Sequence, residues 1–408
     1  MDECSHPIRI GTLCGVCGME IQEEPRLFCA LYNTDNIKIT HKEAVSIYKE
    51  KVKALEMQMK LILVLDLDQT VLHTTYGTSD CKGIVKFTMD GCKYSVKLRP
   101  HLNHMLRRVS KLYEIHVYTM GTRPYAERII GIIDPAGKYF HDRIITRDEN
   151  QGVLVKRLSR LFPYNHKNIV ILDDRADVWD YNENLVLVKP FWYFNRVDIN
   201  DPSKLERKAE GVSDGHGDLG EFVGKRKKVE EGEGARIISR PDGTGLGGSS
   251  GKPETEVDSD RTGEKKAREE PSDDCELLRM AKFLKKVHKK YFSSKHRNVK
   301  KILRRIRKRI FDGDRFFIVG PTNRAWLVKA IEMHGGMVSR LESEVDFVIS
   351  SSLDEVRELA QKLECLVVSP KWIEDCVYSL ERVGYGRYVV CDYRVKDEYE
   401  EELEKLFG

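Results

Sequence analysis

With 408 residues the chain is long enough for two or three domains with real cores, and its 69 basic and 65 acidic side chains leave a net charge of only +4, so charge distribution says more about partners than charge total. Ten Cys with no apolar leader flanked by Arg or Lys point to a reducing compartment and away from secretion. The longest apolar runs, LILVL and IVIL, are strand length, far short of the roughly 18 residues of a membrane span.

Residues 1–45 read as a small separate piece. The stretch CSHPIRIGTLCGVCG sets Cys4, His6, Cys14 and Cys17 at spacings able to hold a metal, with Cys29 as a replacement ligand. Two Cys separated by two residues form a local claw; a structural zinc and an ordinary interaction flap both fit it. From 55 to 200 the texture is α/β. KLILVLD, YEIHVYT and NIVILDD read as buried strands, and HLNHMLRRVSKL and TRPYAERIIGII as helices between them. IVKFTMDGCKYSVKL is a hairpin turning at Asp90-Gly91. This alternation predicts a mostly parallel sheet covered on both faces.

Asp66 ends the first strand, Asp68 lies just beyond it, and Thr70 opens the following turn. Thr119 and Asp173-Asp174 end two other strands, and Lys156 falls between them in sequence. Active residues of open α/β sheets gather at the carboxyl ends of strands, so these positions can share one crevice. The set suits phosphoryl transfer. Asp66 can attack phosphorus, and Asp68 can protonate the leaving oxygen and then activate water. Mg2+ held by Asp66, the Asp68 backbone carbonyl and Asp173 would offset charge repulsion, with Asp174 on a bound water or on Lys156. Thr119 and Lys156 can hold the phosphate oxygens.

Residues 201–274, rich in Gly, Ser, Asp, Glu and Lys, read as a flexible linker, in which KRKK at 225–228 fits a nuclear import signal. The segment 275–309 is basic and helical: between Ala281 and Ile310 it holds 14 Lys or Arg and no Asp or Glu. A solvated basic face and a surface for phosphorylated protein or nucleic acid both fit, so direct nucleic-acid binding stays open. At 310–395, RFFIVG, MVSRL, VDFVIS and CLVVS give four short strands, with helices at 322–334, 353–363 and 370–380. Residues 396–408, KDEYEEELEKLFG, form an acidic amphipathic tail.

DLDQT, KLRP, YTMGTR, DRIITRDE, VKRLSRLFP and ILDDRADVW occur in that order and resemble the catalytic domain of the TFIIF-associating RNA polymerase II C-terminal domain phosphatases, in the haloacid-dehalogenase-like superfamily. The resemblance implies a Rossmann-like fold, with Asp66 as nucleophile and Asp68 as acid/base. It further implies Thr119 and Lys156 as phosphate ligands, Arg99 as a substrate-side phosphate contact, and Asp66, Asp68, Asp173 and Asp174 around the metal. The implied substrate is phosphoserine in the polymerase heptad repeats, the compartment the nucleus, and TFIIF the partner of the acidic tail. The second α/β domain resembles a BRCT module, with Trp372 as core anchor and Gly335-Gly336 closing a helix. A phosphatase for another nuclear phosphoprotein or a nucleic-acid end, and a non-catalytic BRCT scaffold, are the rival readings.

Overall fold

The computed structural model describes residues 4–21, 27–31, 34–79, 81–150, 153–194, 199, 274–320, 324–339, 345–352, 356–357 and 365–392. The expected linker up to residue 273, the acidic tail and nearly all of the expected helix at 353–363 lie outside them.

At the amino terminus, strands β1 (Ile8–Ile10), β2 (Leu13–Cys14), β3 (Leu27–Leu31) and β4 (Thr34–Thr40) form an antiparallel sheet of order β2-β1-β4-β3. Helix α1 (His41–Met57) follows directly, so this piece does not stop at residue 45. The Thr40 hydroxyl caps α1 by accepting the Glu43 N–H at 3.4 Å.

Apolar periodicity builds the larger sheet. Strand β5 (Leu61–Leu65) is buried along its whole length. Its side chains alternate between the two faces, with Leu61, Leu63 and Leu65 in one apolar cluster and Ile62 and Val64 in another. After β5 come β6 (Leu72–Tyr76), β7 (Ile84–Met89) and β8 (Cys92–Leu98), a small antiparallel sheet of order β6-β8-β7. Asp90 and Gly91 at its tight turn have φ of 50° and 75°, the left-handed pair that two-residue hairpins favour. Helix α2 (Leu102–Val109), strand β9 (Tyr113–Tyr118), helix α3 (Arg123–Ile133), strand β10 (Ile144–Ile145), the single turn α4 (Leu158–Leu161), strand β11 (Ile169–Asp173) and strand β12 (Leu185–Leu187) complete the layer. The resulting sheet, β10-β9-β5-β11-β12, is parallel throughout. Chain order reverses direction at β5, which places a crevice at its carboxyl end. Helices α2 and α3 pack on one face, and Tyr48 and Leu55 of α1 on the other.

The basic segment is helical, as expected, and packs against the first α/β domain. It forms α5 (Glu276–Phe292) and α6 (Val299–Arg307). Leu277, Met280, Leu284, Val287 and Tyr291 of α5 lie in the same apolar cluster as α2 and β9, and Tyr113 donates its hydroxyl to the Leu284 carbonyl at 2.8 Å. Lys282, Lys285, Lys286, Lys289 and Lys290 keep to its exposed side. One helical period thus explains both the charge run and the core contact.

The second domain has strand β13 (Arg315–Ile318), helix α7 (Arg324–Met333), strands β14 (Met337–Val338), β15 (Phe347–Ile349) and β16 (Leu366–Val368), helix α8 (Pro370–Ser379) and strand β17 (Val389–Asp392). Its sheet order is β14-β13-β15-β16-β17, with only β17 antiparallel. Trp372 is fully buried against Phe311, Phe316 and Phe347 and donates its indole N–H to the Val383 carbonyl at 2.9 Å. Gly335 has a φ of +99°, and a Cβ there would sit 2.1 Å from the Lys308 carbonyl oxygen, so no other residue fits. Residues up to Pro202 and from Glu270 onward form one unit. Arg279 of α5 reaches the Tyr378 and Ser379 carbonyls at 2.6 and 3.0 Å, and buried Arg307 reaches those of Glu183 and Leu185 at 2.7 and 2.9 Å. No helix among the described residues is long and apolar enough to cross a membrane.

His334 is buried beside this junction, with Nδ1 2.6 Å from the Ala330 carbonyl. Burial lowers its pKa from 6.5 to about 4, the Ala330 carbonyl opposing and Arg307 assisting. The unfolded chain therefore binds this proton first. The stability contribution of the neutral ring is whole above pH 6.5 and is lost as pH falls toward 4, by at most about 1.4 kcal/mol per pH unit. Urea unfolding between pH 7 and 4 should show that loss, and His334→Gln should flatten it.

Candidate active site

Asp66 follows β5 at the centre of the sheet, and its backbone N–H is held by the Leu172 carbonyl of β11 at 3.0 Å. That register brings it beside Asp173, the last residue of β11. The Lys156 ammonium bridges the two, 2.7 Å from Asp66 Oδ1 and 2.7 Å from Asp173 Oδ2, and all three side chains are buried. Asp173 is fixed further by the Trp179 indole N–H at 2.7 Å and the Arg175 backbone N–H at 2.9 Å. Asp174 pairs with Thr70: the Thr70 hydroxyl lies 3.3 Å from Asp174 Oδ1 and accepts the Asp174 backbone N–H at 3.1 Å.

Asp68 has a different environment. The Tyr125 hydroxyl donates to its Oδ1 at 2.6 Å and lies 2.8 Å from the Thr74 hydroxyl. A Cβ at Gly121 would come within 2.5 Å of the Tyr125 ring, so the glycine makes room for the residue that holds Asp68. Thr119, just past β9, accepts the Gly121 N–H at 3.0 Å, which leaves its hydroxyl proton to donate. Asp66, Asp68, Thr119, Lys156, Asp173 and Asp174 all line one cleft.

Charge in this cleft is unbalanced. Burial pushes the Asp66 carboxyl up to about 8, with Lys156 opposing and Asp173 and Asp68 adding repulsion. Burial also works against the Lys156 ammonium, but Asp173 and Asp66 more than offset it and hold the amine above its usual value. Carboxylate oxygens of Asp66, Asp173 and Asp174 lie within 4.8 Å of one another. Hard oxygen donors in net negative excess are what a magnesium ion takes, so this acidic cluster fits Mg2+.

Two family models match the chain: "NLI interacting factor-like phosphatase" over residues 61–215 and "BRCT domain" over residues 309–388. The RNA polymerase II C-terminal domain phosphatase of Encephalitozoon cuniculi is 70% identical over 410 residues, spanning 100% of both chains. The chain belongs to this phosphatase family. The corresponding phosphatases of Schizosaccharomyces pombe and Homo sapiens are 35% and 34% identical, over 49% and 50% of this chain but only 32% and 23% of their own lengths. Two solved structures, one of Fcp1, an essential RNA polymerase II CTD phosphatase, and one of fission yeast Fcp1 bound to beryllium fluoride, share the fold with TM-scores of 0.63 and 0.61. Each is 24% identical and is covered completely by 85% of this chain. The α/β domain of this family member is thus haloacid-dehalogenase-like, and the smaller one is a BRCT domain.

Arg99, expected as a substrate-side phosphate contact, is held by protein partners beside the cleft, against the loop that carries Thr70. Its guanidinium is buried, donates to Asp274 at 3.0 Å and to the Thr70 carbonyl at 3.0 Å, and stacks 5.3 Å from the Phe191 ring centre. Asp274 stands two residues before α5, so Arg99 ties the helix start to the loop that carries Thr70. Sequence reasoning assigned no place in the site to Tyr125, which looks like one more apolar residue of α3, or to the Trp179 indole N–H on Asp173. The indole nitrogen of Trp179, a donor that must find a partner when buried, was the available signal.

If Arg99 serves by holding the Thr70 loop, Arg99→Ala should lower kcat by roughly tenfold, about 1.4 kcal/mol, with KM little changed and a lower Tm. Steady-state kinetics with a small aryl phosphate checks this; a rise in KM alone would restore a substrate contact. Tyr125→Phe should slow a seryl phosphate more than an aryl phosphate, since only the serine oxygen depends on a well-placed proton donor at Asp68.

Proposed function

We propose that this chain is a Mg2+-dependent protein serine phosphatase that removes phosphate from the C-terminal heptad repeats of the largest RNA polymerase II polypeptide in the nucleus. The observation that carries the reading is the different tethering of two neighbouring carboxylates: Asp66 on Lys156, Asp68 on Tyr125. Different surroundings suit different tasks, nucleophile for one and acid/base for the other.

In the proposed reaction an Asp66 oxygen attacks phosphorus and the bond to the serine oxygen breaks, with Asp68 supplying that oxygen its proton. Asp68 then takes a proton from water as the water attacks the aspartyl-phosphate, releasing phosphate and restoring Asp66. Lys156 and Thr119 hold the phosphoryl oxygens where negative charge develops. Asp66, Asp173 and Asp174, with the Asp68 backbone, would hold Mg2+, which when bound offsets repulsion between carboxylate and phosphate dianion.

Support for a polypeptide substrate comes from the open cleft. Among the described residues, the chain between Asp66 and Thr119 makes only the small antiparallel sheet, α2 and β9, with no lid of domain size. The full-length match to a polymerase phosphatase supports the heptad repeats and the nucleus. The TFIIF partner rests on the acidic-apolar composition of residues 396–408, with Tyr399, Leu403, Leu406 and Phe407 between the acids.

Purified chain with Mg2+ should turn over repeat peptides bearing a single phosphoserine, and chelation with EDTA should abolish it. Asp66→Asn and Asp68→Asn should both be inactive. Turnover by Asp66→Asn would remove it as nucleophile, and preference for a 5′-phosphorylated oligonucleotide would overturn the substrate. The exposed lysines of α5 should aid encounter with a tail carrying many phosphates. Raised salt, or Lys285→Glu with Lys286→Glu and Lys289→Glu, should lower kcat/KM for that tail and leave a small aryl phosphate unaffected.

A further inference from the structure

The β1-β2 hairpin, attached to β4 along β1, buries few large apolar side chains of its own. Ile10, Leu13, Val16 and Met19 are 53%, 49%, 62% and 62% exposed, so its large apolar side chains face outward instead of forming a core. Cys14, 3% exposed, is the buried side chain on β2. A small sheet of short strands with so little apolar burial is marginal in water without a further constraint. Around Cys14 the chain gathers soft donors. Cys4 and His6 approach from before β1, and Cys17 from the turn after β2. Cys4 Sγ lies 3.9 Å from Cys14 Sγ, and Cys17 Sγ 3.3 Å from His6 Nδ1. All four donor atoms lie within 4.8 Å of one another.

These separations have a chemical meaning. The cysteines are free, and 3.9 Å is far beyond a disulfide bond of about 2.05 Å. Zinc binds sulfur at about 2.3 Å and imidazole nitrogen at about 2.0–2.1 Å, so a tetrahedron requires sulfurs about 3.8 Å apart and sulfur about 3.6 Å from nitrogen. The backbone is shaped for the same purpose. The Val16 N–H points to Cys14 Sγ at 3.3 Å, and the Gly18 N–H closes the Cys-x-x-Cys turn on the Cys14 carbonyl at 2.9 Å, with Gly18 at a φ of 72°. His6 adopts a φ of 45°, a left-handed conformation uncommon for a residue with a side chain and spent here on aiming a ring at the cysteines.

We propose that Cys4, His6, Cys14 and Cys17 bind one zinc ion, a closed structural site that folds the amino-terminal sheet. Four protein ligands leave no open position, so the ion takes no part in phosphate chemistry. The cluster is separate from the acidic centre in both place and ligand type: thiolates and imidazole take zinc, and the carboxylates of Asp66, Asp173 and Asp174 take magnesium. Cys29 lies on β3, and its side chain is outside the described ones. The proposal does not need it. Zinc also joins the sheet to the rest of the chain, because β4 pairs with β1 and runs straight into α1, whose Tyr48 hydroxyl donates to Asn168 at 3.2 Å.

The test uses the full chain purified under reducing conditions. Elemental analysis should find one zinc per chain, retained through gel filtration, and cobalt exchange should give the visible absorption of a tetrahedral thiolate site. Cys14→Ser with Cys17→Ser should lose both signals, whereas Cys81→Ser with Cys92→Ser should keep them. Wild-type chain without zinc that also gives no tetrahedral cobalt spectrum would overturn the proposal, whether or not the variants fold. Zinc persisting undiminished in the Cys14/Cys17 double variant would overturn the ligand assignment.

Discussion

A single ammonium group shared by two buried carboxylates is the constraint around which the catalytic domain is arranged. Lys156 cannot lose either Asp66 or Asp173 without stranding charge in a site that water barely reaches, and breaking such an arrangement typically costs about 3–5 kcal/mol. The supporting contacts follow from that. The Lys156 backbone N–H is held by the Val178 carbonyl at 2.7 Å, and the neighbouring Trp179 donates to the same Asp173 oxygen that Lys156 contacts. The loop carrying the lysine, the turn carrying the tryptophan and the two central strands are therefore positioned together. Four carboxylates line the cleft against Lys156 and an Arg175 already paired with Asp177, which leaves net negative charge among the carboxylates and suits a divalent ion.

Helix α5 is the other element on which much depends. Its apolar stripe completes the cover over α2 and β9, Asp274 before it holds Arg99, and Arg279 near its start reaches the last carbonyls of α8. Phosphatase and BRCT domains thus share a structural member. The two family matches, ending at 215 and beginning at 309, leave this helix out of both.

The strands that position the site were readable because each is a short apolar run ending in a polar residue at the same level of a parallel sheet. Asp66, Thr119 and Asp173 could be grouped from that pattern alone. Arg99 could not be placed, because its partner Asp274 is 175 positions away and only the packing of α5 brings them together. The same distance in sequence hid the role of α5, whose lysines dominate its composition while its buried face has only an ordinary helical period. The amino-terminal sheet was invisible for a different reason. Its described side chains bury little, so hydrophobic alternation gives no signal, and only the Cys and His spacing marks the piece.

The Lys189 backbone N–H meets Glu276 Oε1 at 3.2 Å. The chain therefore departs the catalytic domain and re-enters it at neighbouring points, and whatever path lies between is closed at its base by folded structure. Closure entropy grows only logarithmically with loop length, by about 0.6 kcal/mol for each doubling. A change in chain length between these two points therefore leaves the paired residues Lys189 and Glu276, and the chemistry they flank, in place. A foreign domain whose own termini lie close together could occupy the same position.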